Sequence, residues 1–167
     1  MSKTDDNLQA AFAGESQANR KYLAFAKAAD QEGFAQVARL FRAAAEAETV
    51  HAHNHLKSMG GIGKTADNLK AAIDGETFEF KSMYPKFITQ AEKDKNGKAG
   101  MSFRYANRVE EIHAGLYQKA ADGVAKGQDL SQAAIWVCQT CGNTVEGEPP
   151  ASCPVCGSAK DRFKRID

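Results

Sequence analysis

Four amphipathic stretches of this chain each place carboxylates at positions that their own periodicity reserves for apolar side chains. The first runs Leu8, Ala11, Glu15, Ala18, Tyr22, Phe25, Ala29. The second runs Phe34, Val37, Phe41, Ala44, Glu48, His51, His55. The third runs Leu69, Ala72, Glu76, Glu79, Met83 and resumes at Phe87; the fourth runs Ala99, Phe103, Ala106, Glu110, His113, Tyr117, Ala120. Steps of three and four residues keep one helix face pointed at a core, so the pattern predicts four helices. An unpaired ionised carboxylate in such a core is strongly unfavourable or gives up its charge. Glu15, Glu48, Glu76, Glu79 and Glu110, converging with His51 and His113, therefore call for cations, and the simplest set is a pair of metal ions. Glu and His at i, i+3 lie one turn apart on one face, so both reach the same ions. Five carboxylates carry −5 and two divalent ions +4, so the cluster is nearly neutral only when metallated. Glu46 and Glu111 do not share the histidine faces and are expected at the surface. So is His53, while His55 is expected to cap the bundle end.

The helical part repeats itself. Glu48-x-x-His51 recurs 62 residues later as Glu110-x-x-His113, Phe41-Arg42 as Phe103-Arg104, Tyr22 as Tyr84 and Phe25 as Phe87. Gly14-Glu15 recurs at an offset of 61, as Gly75-Glu76. Two similar helical hairpins related by a pseudo-twofold axis account for this. The slip from 61 to 62 places one extra residue between Glu76 and Tyr84, which a helix absorbs as a π-bulge. Pro85 is expected to kink the same helix. Asp5 or Asp6 is the expected cap of the first helix, Gly33 ends it, Met59 to Gly63 is a flexible connection, and Thr65 or Asp67 starts the third helix. Asn96-Gly97 marks the turn before the fourth, and Gln128 to Ala134 reads as a linker.

From Ile135 the character changes. The segment is too small to bury a core unaided, and a metal must organise it. Cys138-Gln139-Thr140-Cys141-Gly142 pairs with Cys153-Pro154-Val155-Cys156-Gly157, two C-x-x-C-G units that can wrap a tetrahedral four-sulfur site. The glycines allow backbone N–H groups to turn toward the sulfurs, and Trp136 is placed to shield them from water. Four thiolates suit iron or zinc, and spacing alone does not choose. The polar N-terminal residues contain no apolar signal segment, so metal-bound rather than disulfide-bonded cysteines in a reducing cytoplasm are expected. The net charge of +1, with both signs mixed along the chain, gives no reason to expect nucleic acid, and no 18-residue apolar run suggests a membrane.

Taken together, Gly14-Glu15-Ser16-Gln17-Ala18, Glu48-Thr49-Val50-His51, Gly75-Glu76-Thr77-Phe78-Glu79, Met83-Tyr84-Pro85, Glu110-Glu111-Ile112-His113 and the Cys-Gly knuckles resemble the rubrerythrin family over essentially the whole chain. The resemblance implies an all-α, ferritin-like four-helix bundle over residues 1–131 and a small rubredoxin-like module over 132–167. A Glu from each of two helices and Glu-x-x-His from each of the other two is the general ligand plan of such di-iron bundles. It further implies two non-haem irons on Glu15, Glu48, His51, Glu76, Glu79, Glu110 and His113, with Glu48 and Glu110 bridging. Glu79 is the extra ligand, exchanging with His51 as the redox state changes. Tyr22 and Tyr84 fall where the family places tyrosines that hydrogen-bond ligand carboxylates. A single iron is expected on Cys138, Cys141, Cys153 and Cys156, with zinc as a possible substitute. The implied activity is reduction of hydrogen peroxide to water in oxidative-stress protection, with electrons from a nicotinamide-dependent reductase relayed through the four-cysteine iron. A homodimer is expected, head to tail or with helices exchanged. Two other readings are a ferroxidase that handles iron, and a non-enzymatic zinc ribbon on a metal-binding bundle.

Overall fold

The computed structural model describes residues 2–166. The expected class holds: the chain is mostly helical, with a small C-terminal strand module that carries the four cysteines. It divides into two compact units, Met1–Gly63 and Lys64–Asp167.

The first unit is a hairpin of α1 (Lys3–Gln31) and α2 (Ala35–Ser58). Its cap is Ser2, not Asp5 or Asp6. Ser2 Oγ accepts the Asp5 N–H at 3.2 Å, and Asp5 returns the bond by accepting from Ser2 N at 2.8 Å. This reciprocal pair satisfies two amide donors, where a lone aspartate cap would satisfy one. Gly33, at φ 87°, ends α1 in the left-handed conformation that a side chain disfavours. The two helices meet along a seam of small residues, Ala26, Ala29, Ala38, Ala45 and Ala52, all buried. Buried Asn19 ties the helices together, its Nδ2 donating to Ala45 O at 2.6 Å and to Thr49 Oγ1 at 2.8 Å. Because the seam is built of alanine, the large apolar side chains are not consumed by it. Phe25, Val37 and Leu40 remain exposed, Leu40 at 69%.

In the second unit, α3 (Thr65–Phe78) runs into a π-helical stretch at Glu79–Met83 and continues as α4 (Tyr84–Lys93). The expected bulge is therefore present between Glu76 and Tyr84. Pro85 lies in the first turn of α4, immediately after the π stretch, a position where its missing N–H is tolerated. Helix α5 (Gly97–Val124) starts at Asn96, whose side chain accepts the Ala99 N–H at 3.1 Å, and packs back along α3 and α4.

The repeat is legible in side-chain geometry. Tyr22, Phe25 and Phe41 form a ring cluster with centroid separations of 6.3, 6.2 and 5.6 Å. Tyr84, Phe87 and Phe103 form its counterpart at 6.2, 6.3 and 5.6 Å. Arg42 pairs with Asp30 at 2.7 Å, and Arg104 pairs with Glu92 at 3.2 Å. Each hairpin thus holds its helix pair in the same register by aromatic packing at one level and an ion pair at another.

The module forms a three-stranded antiparallel sheet ordered β2-β1-β3, from β1 (Ile135–Cys138), β2 (Thr144–Glu146) and β3 (Phe163–Ile166). Its small core is made largely of the ligands themselves: Cys138, Cys153 and Phe163 are buried, with Trp136, Val145 and Val155 against them. The segment before it has no regular structure, as expected of a linker, yet the module docks on α5. Lys119 pairs with Glu146, and a side chain on Gly142 would meet Val109 Cγ1 at 3.7 Å. Among the described residues, no helix is long and apolar enough to cross a membrane.

The alanine seam sets how closely α1 and α2 approach. Ala38→Leu, at a fully buried site, is expected to destabilise the protein by about 1–3 kcal/mol through overpacking. Urea unfolding followed by circular dichroism measures this, and an unchanged midpoint would show that the seam has slack.

Candidate metal centres

The first hairpin brings Glu15 from α1 together with Glu48 and His51 from α2. Their candidate ligand atoms all lie within 4.8 Å of one another. The second brings Glu76 from α3 together with Glu110 and His113 from α5, again within 4.8 Å. In both, the histidine presents Nδ1 to the glutamate one turn before it. His51 Nδ1 lies 2.9 Å from Glu48 Oε2, and His113 Nδ1 lies 2.9 Å from Glu110 Oε2. His113 Nδ1 also lies 3.8 Å from Glu76 Oε1. The five carboxylates are half-buried, a setting in which like charges repel. Glu46, Glu111 and His53 are exposed, as the helix periodicity predicts, and Glu111 pairs with Arg108.

Glu79 opens the π stretch and stands beside this second cluster. Burial pushes its carboxyl above the usual 4.5, and the Glu76 charge adds to the rise. Glu76 is raised by burial first, then by the Glu110 charge and a hydrogen bond shared with Glu110, while His113 pulls the other way. The Tyr84 phenol is held above its usual 10 by burial and then by the charges of Glu79, Glu110 and Glu76. Its proton therefore stays on, within electrostatic reach of three carboxylates. Tyr22 packs in the matching ring cluster of the first hairpin.

The four cysteines converge as the knuckle spacing predicts. Cys138 Sγ and Cys156 Sγ are 3.7 Å apart, and Cys141 Sγ and Cys153 Sγ are 3.6 Å apart. A tetrahedral metal with thiolate bonds of about 2.3 Å has sulfur–sulfur edges of about 3.8 Å, whereas a disulfide requires about 2.05 Å. The separations fit a metal and exclude disulfide bonds. Gly142 and Gly157 adopt φ of 87° and 76°, and in doing so turn the next residue's N–H onto the knuckle. Burial raises the Cys141 thiol, with the Asn143 N–H opposing. For Cys156 burial also raises, but the Ser158 hydroxyl and N–H, with Cys141 and Cys153, outweigh it and bring the thiol to about 6.

Three contributors lie outside the residues singled out by spacing. Asn143 donates Nδ2 to Cys153 Sγ at 3.7 Å, and Ser158 lies 3.3 Å from Cys156 Sγ. The sequence carries a signal for both, since each follows its C-x-x-C-G knuckle directly. Thr144 accepts a contact from His113, with Oγ1 2.9 Å from His113 Nε2. No periodicity announces it.

The donor chemistry matches what known relatives carry. A family model described as Rubrerythrin matches residues 6–121, and one described as "Rubrerythrin, rubredoxin-like domain" matches residues 136–164. Rubrerythrin-2 of Clostridium acetobutylicum is 34% identical, the alignment covering 96% of this chain and 95% of that protein. Nigerythrin of Nitratidesulfovibrio vulgaris is 34% identical, over 98% of this chain and 86% of its own length. A solved structure titled "Fully reduced state of nigerythrin (all ferrous)" aligns with a TM-score of 0.57 at 34% identity, over 99% of this chain and 88% of that one. The chain therefore belongs to the rubrerythrin family, with that family's iron cofactors: a di-iron site of carboxylates and histidines, and a four-cysteine rubredoxin-like site.

Proposed function

We propose that the protein is a non-haem di-iron peroxidase of the NADH-peroxidase type, reducing hydrogen peroxide to two waters with two electrons and two protons. A separate reductase feeds the four-cysteine site. The observation that supports this best is the presence, in one chain, of two matching Glu-x-x-His clusters and a four-sulfur module whose Thr144 is hydrogen-bonded to one of them. Iron held by these carboxylates and histidines would supply the electrons for O–O cleavage, and iron held by the four cysteines would supply one-electron replacement. Glu15, Glu48 and His51 of the first hairpin, and Glu76, Glu79, Glu110 and His113 of the second, are the proposed iron ligands. Tyr84, its phenol kept protonated by burial and the nearby carboxylates, is the proposed proton donor to an oxygen on which charge develops. The functional division is placed at 1–131 and 132–167. A homodimer, with helices exchanged or head to tail, would cover the apolar faces that each hairpin leaves open. Unpaired thiols suit a reducing cytoplasm. A ferroxidase draws electrons from its own substrate and needs no attached donor, which disfavours that reading.

The test uses full-length protein. Cys138→Ser with Cys156→Ser should still bind two irons and be oxidised by one equivalent of peroxide. It should fail at repeated turnover with an electron donor, because the relay is gone. A visible spectrum of the natively expressed protein separates red iron–thiolate from colourless zinc. Undiminished steady-state activity in the cysteine variant would make the module a structural ribbon.

The ligands differ in how dispensable they are. Glu79→Ala should keep two metals per site but slow turnover, because Glu79 exceeds the minimal ligand set. Glu48→Ala and Glu110→Ala should each lose one or both metals. If helices exchange between copies, refolding those two variants together should restore about a quarter of the sites, since half the dimers are mixed and one of their two centres is intact. Metal analysis reads all of these; equal loss in the three single variants would remove the distinction.

The metal-free protein should show the clustering as a pH dependence. Glu76 and Glu79 have folded-state values above 4.5, so the folded chain holds protons that the unfolded chain releases. Their contribution is fully present below about 4.5 and is lost as pH rises through the raised values. Melting temperatures of the metal-free protein should therefore decline from there toward neutrality relative to a Glu76→Gln, Glu79→Gln variant. Parallel profiles would contradict the repulsion.

A further inference from the structure

The two clusters differ in what lies behind the histidine. The His51 side chain is 54% exposed, and Nδ1 to Glu48 is its hydrogen bond within its hairpin. The His113 side chain is 27% exposed, and both of its ring nitrogens are engaged. Nδ1 faces Glu110 at 2.9 Å, and Nε2 faces Thr144 Oγ1 on β2 of the cysteine module at 2.9 Å. Thr144 Oγ1 in turn lies 3.1 Å from the Gly142 carbonyl.

The direction of this chain follows from its last member. A carbonyl oxygen can only accept, so the threonine hydroxyl spends its one proton on Gly142 O. Its lone pairs remain to accept, and the donor to them is His113 Nε2–H. A metal held on Nδ1, the nitrogen aimed at Glu76 and Glu110, leaves the ring proton on Nε2, where Thr144 Oγ1 is placed to accept it. Gly142 is joined covalently to Cys141. Thr144 thus connects a ligand of the four-sulfur site to a ligand of the carboxylate cluster through two hydrogen bonds, all within the unit Lys64–Asp167.

We propose that Thr144 is a positioning residue that fixes the tautomer and ring orientation of His113 and couples the cysteine module to the carboxylate cluster of its own unit. A partner on the far nitrogen of a ligating histidine holds the ring in place, and its loss weakens metal binding by about 10–100-fold. The coupling half of the proposal rests on the relay reading above; the positioning half does not. The docked module therefore organises the cluster, because seating β2 against α5 is what delivers the hydroxyl.

The experiment compares wild type, Thr144→Val, which keeps the shape without the hydroxyl, and Thr144→Ser, which keeps the hydroxyl. Full-length protein loaded with zinc(II) is diamagnetic, so histidine nitrogen NMR can read His113 directly. The expected result is an Nε2–H signal protected from solvent exchange in wild type and Thr144→Ser, and lost in Thr144→Val. Zinc competition titrations, with the cysteine site already filled, should show affinity falling by about 10–100-fold in Thr144→Val and recovering in Thr144→Ser. In the iron protein, reoxidation of the thiolate iron after one addition of peroxide should slow in Thr144→Val alone. Wild-type His113 carrying its proton on Nδ1, or lacking a protected Nε2–H, would overturn the proposal whether or not the variants fold. So would unchanged affinity in Thr144→Val. A wild type with the expected signal and affinities that consumes no peroxide would sink the peroxidase reading and leave the positioning role standing.

Discussion

A carboxylate on the apolar stripe of a helix is tolerable only if a cation meets it, and this protein is organised around that requirement. Five such groups cannot be neutralised by the lysines and arginines, which lie on the outer faces in pairs such as Arg42–Asp30 and Arg104–Glu92. The hairpins therefore close with small residues and keep their wide, ligand-bearing faces for something else. The alanine seam, the buried Asn19 tie and the ring clusters all bring two helices into a fixed register without using up the carboxylates. In energetic terms the protein stability and the metal content are one problem, because the same side chains decide both.

The cysteine module solves the same problem at a smaller scale. Its core contains the ligands as packing elements, so the four thiols are part of the fold that presents them. Backbone N–H groups from Asn143 and Ser158 temper the charge that four sulfurs would accumulate. What the helical part does with imidazole and carboxylate, the module does with sulfur and amide.

Much of this is readable from residue order, and the reason is periodicity. Glu15, Glu48, His51, Glu76, Glu110 and His113 fall on helix faces by counting, and the structure groups them three and three. The π stretch follows from two offsets that disagree by one. The four cysteines follow from knuckle spacing. What cannot be read has no period. Asp5 and Ser2 are both good caps, and only the reciprocal bond between them decides which residue takes the position. The docking of the module on α5 depends on Thr144 and Glu146 meeting His113 and Lys119, 31 and 27 residues earlier in the chain, and no period links them. A linker without regular structure leaves a module loosely tethered unless something else holds it; here side-chain contacts beyond the linker do the holding.

The π stretch at Glu79–Met83 carries a consequence for how a duplicated fold diverges. From Glu15 to Tyr22 is seven residues, two α-helical turns; from Glu76 to Tyr84 is eight. A π turn takes in one residue more than an α turn, so the longer segment still completes two turns and both ends face the same way. An insertion that would normally rotate everything after it has been confined to a single wide turn. The aromatic cluster beyond it stays in register with its twin, while the turn before it opens with Glu79 where the first hairpin has Ala18. The ring clusters and the arginine ion pairs of the two halves therefore stay matched on the far side of the turn where one helix has gained a residue.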